Sequence, residues 1–331
     1  RQMCIRDRRT SAALLFASVY EKIPLSMRAD VHSMFVSLCT DETPMVRRAA
    51  ARDMSALVKR MSPEVIINEM LPLYRRLSAD DQDSVRLLTV QNLVAMAEVL
   101  SPAETQQLLL SSICGAFQDK SWRVRYMAAD NFVQLATAVG EDVVKEDLVP
   151  AYINLMRDAE AEVRTAAATQ LPGLAKLLDQ NTIIERLLPV AKELADDPSQ
   201  HVRGALAAQV SALAPLLGKD ATTEHLLPLF LQLLKDEFPE VRLNIISRLE
   251  QVNEVIGIDL LSQSLLPAIM TLAEDKQWRV RQAIIENIPL LAHQLGVEFF
   301  DEQLSGLCLS WLGDTVFSIR EAATVLSLIH I

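Results

Sequence analysis

The sequence predicts an all-α fold in which pairs of helices stack into one elongated solenoid. A short pattern, an aspartate followed five residues later by Val or Ile and then by Arg, recurs at an unbroken step of 39 residues. Apolar residues at helical spacing flank each copy of the pattern on both sides. Glycine (9 residues) and aromatic residues (5%) are too scarce for a β-sandwich or barrel. Such a period is typical of helical repeat arrays, which work by their surface.

The repeated acid and base define a common register for eight units. The aspartates are Asp41, Asp80, Asp119, Asp158, Asp197, Asp236, Asp275 and Asp314. The arginines are Arg47, Arg86, Arg125, Arg164, Arg203, Arg242, Arg281 and Arg320. We expect these acids and bases to form a ladder of ion pairs within or between units. Exposed pairs contribute only about 0–1 kcal/mol each, so the ladder's expected role is to fix the register, and direct ligand binding is the alternative.

Each unit is predicted to contain helix A, a tight turn and helix B, as the unit around Val241 illustrates. Residues 224–234 are predicted as helix A, and their dense apolar side chains indicate neighbours on more than one side. Residues 241–255 are predicted as helix B. Pro239 suits the first turn of helix B, because no backbone N–H is needed there.

Three further positions repeat in the same register. A proline inside helix A should bend that helix, and it occurs at Pro72, Pro150, Pro189, Pro228 and Pro267. A glycine after helix B should close it in a left-handed cap, and it occurs at Gly140, Gly218, Gly257 and Gly296. A small residue in helix B should let neighbouring helices approach closely, and it occurs at Ala50, Ala128, Ala167 and Ala323.

Composition excludes several classes of function. The net charge of -11 argues against nucleic acid as the main partner, because phosphate binding needs clustered Lys and Arg. No apolar run is long enough to span a bilayer, and no signal-peptide pattern is present. The four cysteines are far apart and form no CxxC, which favours small apolar residues in a reducing compartment. We therefore expect a cytoplasmic or nuclear protein without membrane association.

The sequence contains no catalytic constellation. The five histidines show no HExxH or paired-ligand spacing, and GxGxxG, P-loop and GxSxG motifs are missing. Asp80, Asp81 and Asp83 form an acidic cluster, but it lacks the glycine and downstream glutamate of a calcium loop. A solvated turn that caps helix B is the better interpretation than a metal site. We expect a protein that is not an enzyme and has no cofactor or metal.

The units differ most in the turn before each register valine, which is where a repeat protein carries specificity. Two of the three tryptophans lie in these turns, as Trp122-Arg123 and Trp278-Arg279. Trp and Arg dominate interface hot spots, so these turns are predicted partner sites. The alternative is that each indole folds back over its own helix pair. Trp311 lies late in a helix A and is predicted to be core.

Longer strings in the sequence resemble a known family. The pattern of helix A, turn, Asp…Val-Arg and helix B looks like a HEAT repeat. The strings 41–50, 119–127, 239–247, 253–258 and 296–302 resemble the scaffold (A) subunit of protein phosphatase type 2A. The resemblance spans residues 8–325 and implies one HEAT-repeat α-α superhelix, a single array of half a repeat plus eight repeats.

The resemblance implies a non-catalytic scaffold that holds the catalytic and regulatory subunits of a serine/threonine phosphatase together as a hetero-oligomer. Binding of regulatory B-type subunits is implied at Pro44, Met45, Arg47, Arg48, Ser121, Trp122, Arg123 and Glu162. Binding of the catalytic subunit is implied at Trp278, Arg279 and Phe317. The family's catalytic docking repeats are only partly represented, so we expect stronger binding to a regulatory subunit. The competing function is a HEAT-type transport receptor or other carrier that wraps a cargo.

Both ends of the sequence depart from the repeat. Asp7 stands where the register valine belongs, and Leu326 stands where seven units carry a polar or charged residue. We interpret residues 1–7 and 326–331 as non-native or disordered ends, with genuine divergent caps as the alternative.

Overall fold

The computed structural model describes residues 2–257, 261–295 and 300–330, and regular structure within these ranges is entirely helical. The prediction of an all-α fold is confirmed. The chain divides into two compact units, residues 1–177 and residues 178–331.

Unit 1 alternates the two kinds of helix that the repeat predicts. Its α-helical segments are α1 Gln2–Val19, α2 Leu25–Cys39, α3 Pro44–Val58, α4 Pro63–Val65, α5 Leu71–Ser78, α6 Asp83–Val99, α7 Pro102–Phe117, α8 Trp122–Asp130, α9 Phe132–Val139, α10 Glu141–Val143, α11 Val149–Met156 and α12 Ala161–Ala175. The B helices α3, α6, α8 and α12 pack side by side in that order, and each also packs against its own helix A.

Unit 2 repeats the arrangement. Its α-helical segments are α13 Gln180–Thr182, α14 Leu188–Ala195, α15 Gln200–Gln209, α16 Ala214–Ala221, α17 Leu227–Leu234, α18 Pro239–Ile246, α19 Leu249–Ile256, α20 Leu266–Ala273, α21 Trp278–Leu295, α22 Ser305–Leu312 and α23 Phe317–His330, with a 3₁₀ turn at Val210–Leu213. The B helices α15, α18, α21 and α23 are neighbours in sequence order. Helix B around Val241 is not one helix over 241–255, as predicted, but is broken at Ser247 and Arg248.

Each of the helix A prolines follows a π-helical turn. Each of the five lies at the second position of an α-segment that follows five π-helical residues, at Ile66–Met70, Val144–Leu148, Ile183–Leu187, Thr222–Leu226 and Leu261–Leu265. Proline cannot donate the i→i−4 hydrogen bond, and a π turn is a common way to absorb the lost bond. The helices with Ser33 and Ser111 at this position, α2 and α7, are continuous, but the repeat with Gly306 there also has a π turn, at Phe300–Leu304, so proline is not its sole cause.

The glycines that end helix B do not adopt the expected left-handed cap. Gly140, Gly218 and Gly257 have φ of 88°, 72° and 80°, but ψ is 158°, 179° and 172°. A left-handed helical cap needs ψ near about +45°, so that prediction was wrong in ψ. The chain leaves helix B extended and enters the next helix at once, as Glu141 follows Gly140. Gly296 lies outside the described residues.

The core lies where helix A and helix B faces meet. The register residue is 0–2% exposed in the repeats that begin at Asp41 through Asp314. Ala50, Ala128, Ala167 and Ala323 are at most 1% exposed, in agreement with close helix approach. Near the ends, α1 is helical from Gln2, α23 is helical to His330, and Leu326 is buried.

Candidate protein-binding surface

Each repeated aspartate shapes the turn in which it lies. In all eight described turns its Oδ1 accepts a hydrogen bond from the backbone N–H two residues later, at 2.8–3.0 Å. This Asx turn competes with helix formation and delivers the chain to the start of helix B. In the acidic cluster, Asp80 accepts from Gln82 and Asp83 accepts from the Ser121 hydroxyl, so both carboxylates serve the turns.

Each repeated arginine closes the same turn from the other side. Its Nη1 donates to the main-chain oxygen of the aspartate six residues earlier, at 2.6–2.8 Å in all eight described turns. The turn therefore has two internal locks, one from each repeated side chain. This explains why the six-residue offset between acid and base never varies.

The remaining guanidinium nitrogens reach the next repeat. Arg86 is representative: its Nε and Nη2 donate to the two carboxylate oxygens of Asp119, both at 2.9 Å, and the two side chains are 5% and 14% exposed. Ion pairs of this kind join Arg47–Asp80, Arg86–Asp119 and Arg125–Asp158 in unit 1, and Arg203–Asp236, Arg242–Asp275 and Arg281–Asp314 in unit 2. The hydrogen-bonding groups of these side chains are used within the protein. This favours a role in fixing the register of the repeats over a role in ligand binding.

The ladder lowers the pKa of its acids Asp80 and Asp119. Burial opposes this by raising the pKa of Asp119, but hydrogen bonds from Arg86 and from the Ser121 N–H outweigh burial and hold that pKa below its ordinary value. Asp80 shows the same balance, with Arg47 and the Gln82 N–H as its donors. These carboxylates are therefore held in the charged form that the ladder needs.

One ion pair, or rung, of the ladder differs from the others. Arg242 reaches Asp275 through Nη2 alone, at 3.0 and 2.9 Å to the two carboxylate oxygens. Its Nε is buried without a hydrogen-bond partner. Asp275 shapes the turn of residues 275–281, which carries Trp278 and is called the Trp278 turn below. The ion pair behind it is weaker than the Arg86–Asp119 pair behind the Trp122 turn, residues 119–125.

The Trp122 turn presents the indole of Trp122 next to the guanidinium of Arg123, whose positive charge is matched by Asp83. Trp122 is the first residue of α8 and is 37% exposed, so the indole is neither core nor fully free. The Arg123 guanidinium lies 5.8 Å from the Trp122 ring centroid. Asp83 of the preceding turn lies 4.0 Å from Arg123 and 3.0 Å from the Ser121 hydroxyl that donates to it. Ser121 is thus a structural link between turns.

The Trp278 turn has the same composition but different neighbours. Trp278 is half-buried at the start of α21, and the Arg279 guanidinium lies over its ring, 4.7 Å from the ring centroid. In the next turn Phe317 is 67% exposed, and the Arg320 guanidinium lies 5.8 Å from that ring. Trp311, in contrast, is 2% exposed, and its indole N–H donates to the Ala273 carbonyl at 3.0 Å. The prediction that Trp311 is core is confirmed.

The other predicted binding residues lie on turns of unit 1. Pro44, Met45 and Arg48 are exposed at the start of α3, and Glu162 is exposed at the start of α12. Arg47 differs, because its guanidinium is used by Asp80 and by the Asp41 carbonyl. Its position makes it a support for this turn.

Sequence reasoning missed Tyr126. It lies four residues after Trp122 on α8 and is 37% exposed, so the two aromatic side chains share one face of that helix. The i, i+4 spacing could have revealed this pair. The role of Asp83 was missed as well, because nothing in the sequence shows that it reaches the next turn.

The chain matches several sequence families over parts of its length. Residues 141–218 match a family described as PPP2R1A-like HEAT repeat, and residues 109–139 match HEAT repeat. Residues 207–305 match a family described as PIK3R4-like, middle domain.

Curated relatives align over short segments. The protein phosphatase 2A scaffold subunit of Dictyostelium discoideum is 52% identical over 66 residues, 20% of this chain and 11% of that protein. The 65 kDa regulatory subunit of phosphatase PP2A from Drosophila melanogaster is 50% identical over 58 residues, 18% of this chain and 10% of that protein. The resemblance expected over residues 8–325 is thus supported over about a fifth of the chain.

Solved structures extend the likeness of fold to almost the whole chain. Yeast importin-β (Kap95p) superposes with a TM-score of 0.69 at 15% identity, covering 93% of this chain and 41% of that chain. Cex1p gives a TM-score of 0.59 at 15% identity, covering 89% and 54%. At such identities only the fold is comparable. Together with the family matches, they show that the chain has a HEAT-repeat fold.

Proposed function

We propose that the chain is a non-catalytic scaffold that binds the catalytic and regulatory subunits of a serine/threonine protein phosphatase through its turns. The observation that carries this proposal is the identity of about half over the segments shared with proteins named as phosphatase 2A scaffold or regulatory subunits. The exposure of Met45, Trp122 and Phe317 on the turns supports it, because exposed aromatic and methionine side chains are typical of interfaces.

Within this proposal the two units have different partners. The turns with Met45, Trp122 and Glu162 bind a regulatory subunit, and the turns with Trp278 and Phe317 bind the catalytic subunit. The ladder holds each turn at a fixed position relative to the next one in its unit. No described helix is long and apolar enough to cross a bilayer, and the described residues contain no group of three His, Cys, Asp or Glu side chains suited to a metal ion.

The test is binding of purified phosphatase subunits to the intact chain. Trp122→Ala should weaken regulatory-subunit binding by about 2 kcal/mol, roughly thirtyfold, with helicity unchanged. Met34→Ala is the matched control, because Met34 is 59% exposed but lies on α2 outside the turns. Trp278→Ala should weaken binding of the catalytic subunit instead.

Two outcomes would count against the proposal. A lower melting temperature of Trp122→Ala with unchanged binding would mean that the indole is structural. Capture of a transport GTPase or its cargo, without phosphatase subunits, would favour the carrier function. The importin-β likeness does not favour that function by itself, because it extends to the fold alone.

A further inference from the structure

The Trp278 turn differs from the Trp122 turn in its unmatched positive charge. Both turns carry the sequence Lys-x-Trp-Arg. In unit 1, Asp83 lies 4.0 Å from Arg123. The residue at the equivalent position of unit 2, 39 residues before Trp278, is Pro239. Because proline stands where unit 1 has an acid, Arg279 lacks the carboxylate partner that Arg123 has.

The acids near the Trp278 turn do not replace that partner. Among the described residues, no carboxylate lies within ion-pair distance of Arg279 or Lys276. The Asp275 carboxylate already accepts from Arg242 and from the Gln277 N–H. Glu240 and Glu274 are exposed on the adjoining segments and pair with neither cation. Within the described part of the chain, two exposed cations thus remain without a partner beside a half-buried indole.

The contact of Arg279 with Trp278 favours binding of a planar anion. The central carbon of the Arg279 guanidinium lies over the Trp278 ring, 4.7 Å from the ring centroid, and the side chain is exposed. Guanidinium edges match carboxylates in a bidentate geometry. Because contact with the ring limits the conformations of Arg279, less entropy is lost when a carboxylate binds.

An apolar contact adjoins these charges. Phe317, 67% exposed, occupies the position that Ala161 has in unit 1. It begins α23, which packs directly against α21. The axes of packed helices lie about 8–10 Å apart, so one partner segment can contact both Trp278 and Phe317, which occupy equivalent positions of adjacent repeats.

We propose that the Trp278–Phe317 surface, defined by Lys276, Trp278, Arg279 and Phe317, binds a partner segment in which an acidic residue adjoins an apolar one. The carboxylate pairs with Arg279 and Lys276, and the apolar side chain lies between the two aromatic rings. The Trp122 turn selects no negative charge, because Asp83 already supplies it to Arg123. This inference rests on the proposed protein-binding function and specifies the partner's chemistry.

The test uses indole NMR signals of the intact chain, titrated with short synthetic peptides. One peptide has a central Leu-Phe flanked by Asp, and its control has Asn in place of Asp. The Asp peptide should shift the Trp278 signal with about three- to fivefold higher affinity than the Asn peptide. The preference should fall as salt rises towards about 0.5 M. The buried Trp311 provides an internal reference signal.

Variants of unit 2 decide the cause. Pro239→Asp installs the acid that unit 1 has, and should abolish the preference, while Pro239→Ala should retain it. Arg279→Gln should abolish it too. Equal affinity for the Asp and Asn peptides, or a preference that survives Arg279→Gln, would overturn the inference. If the acidic preference holds but the phosphatase catalytic subunit does not bind, the proposed function fails and this inference stands. If the subunit binds without charge preference, only the inference fails.

Discussion

The Trp122 turn of unit 1 and the Trp278 turn of unit 2 share a tetrapeptide pattern and the same two internal locks, yet their surfaces differ. Near Trp122, Asp83 lies 4.0 Å from Arg123, the next turn carries Glu162, and the aromatic surface continues along α8 to Tyr126. The equivalent positions around Trp278 carry Pro239, Ser318 and, four residues on, Gln282. There the aromatic surface continues to Phe317 on the next repeat instead.

This difference separates the residues that hold each turn in place from the residues that vary its surface. The residues that recur every 39 positions make the turn rigid, and they are nearly identical in both units. The residues one repeat before and after decide whether the exposed arginine is matched and where the apolar surface extends. In the function we propose, specificity therefore depends on residues of the adjacent repeats rather than on the Trp-Arg pair.

Removal of the rung behind each tryptophan turn should have the largest effect. Arg86→Ala leaves Asp119 unpaired in a site where both side chains are mostly buried, so unit 1 should lose roughly 3–5 kcal/mol. Arg242→Ala should cost about 1 kcal/mol less, because it also removes an Nε that is already buried without a partner. Urea unfolding followed by hydrogen exchange in each unit measures both losses.

Arg123→Ala is the matched control for the rung, since Arg123 is an exposed arginine of the same turn. Its effect on stability should stay within about 0.5 kcal/mol. Equal losses for Arg86→Ala and Arg242→Ala would show that the missing Nε bond has no energetic consequence.

The sequence predicted the features that recur in every repeat well. It predicted the backbone geometry of the helix breaks and the contacts between adjacent repeats poorly. The 39-residue register located every turn, the acid-base ladder and the buried Trp311. The glycine ψ angles and the π turns were missed, because sequence shows that a break is needed but not which backbone geometry absorbs it. The contact from Asp83 to Arg123 was missed because it joins residues 40 positions apart, and only packing brings them together.

Acid should weaken the ladder in a defined direction. Despite opposing burial, hydrogen bonds from Arg86 and the Ser121 N–H lower the pKa of Asp119 in the folded state relative to an unfolded value near about 3.9. The stabilisation is therefore complete above about pH 4 and is lost as pH falls through the lowered folded-state pKa. Hydrogen exchange of the 119–125 turn measures this loss. Asp119→Asn should remove the contribution, and parallel pH profiles for both proteins would contradict the prediction.

Tyr126 should extend the Trp122 surface along α8. Under the proposed scaffold function, Tyr126→Ala should weaken regulatory-subunit binding by about 1 kcal/mol, roughly fivefold, because an exposed aromatic on the same helix face is lost. Tyr126→Phe should retain most of the binding. Gln282→Ala, the equivalent change in unit 2, should leave catalytic-subunit binding unchanged, since among the described residues the Gln282 side chain donates a hydrogen bond to Glu286 of its own helix and to no other group. A larger effect of Gln282→Ala than of Tyr126→Ala would reverse the comparison.

The smallest predicted effect converts the Trp122 turn towards the Trp278 turn. Asp83→Asn keeps an oxygen that can accept from the Ser121 hydroxyl but removes the charge that lies 4.0 Å from Arg123. With Arg123 no longer matched, the Trp122 indole signal should acquire a preference of about twofold for the Asp peptide over the Asn peptide. Asp81→Asn is the matched control, because it removes an equal charge from the same turn without a contact to Arg123. If both variants acquire the same preference, the effect is one of net charge, and the contact between Asp83 and Arg123 does not set the selectivity of this turn.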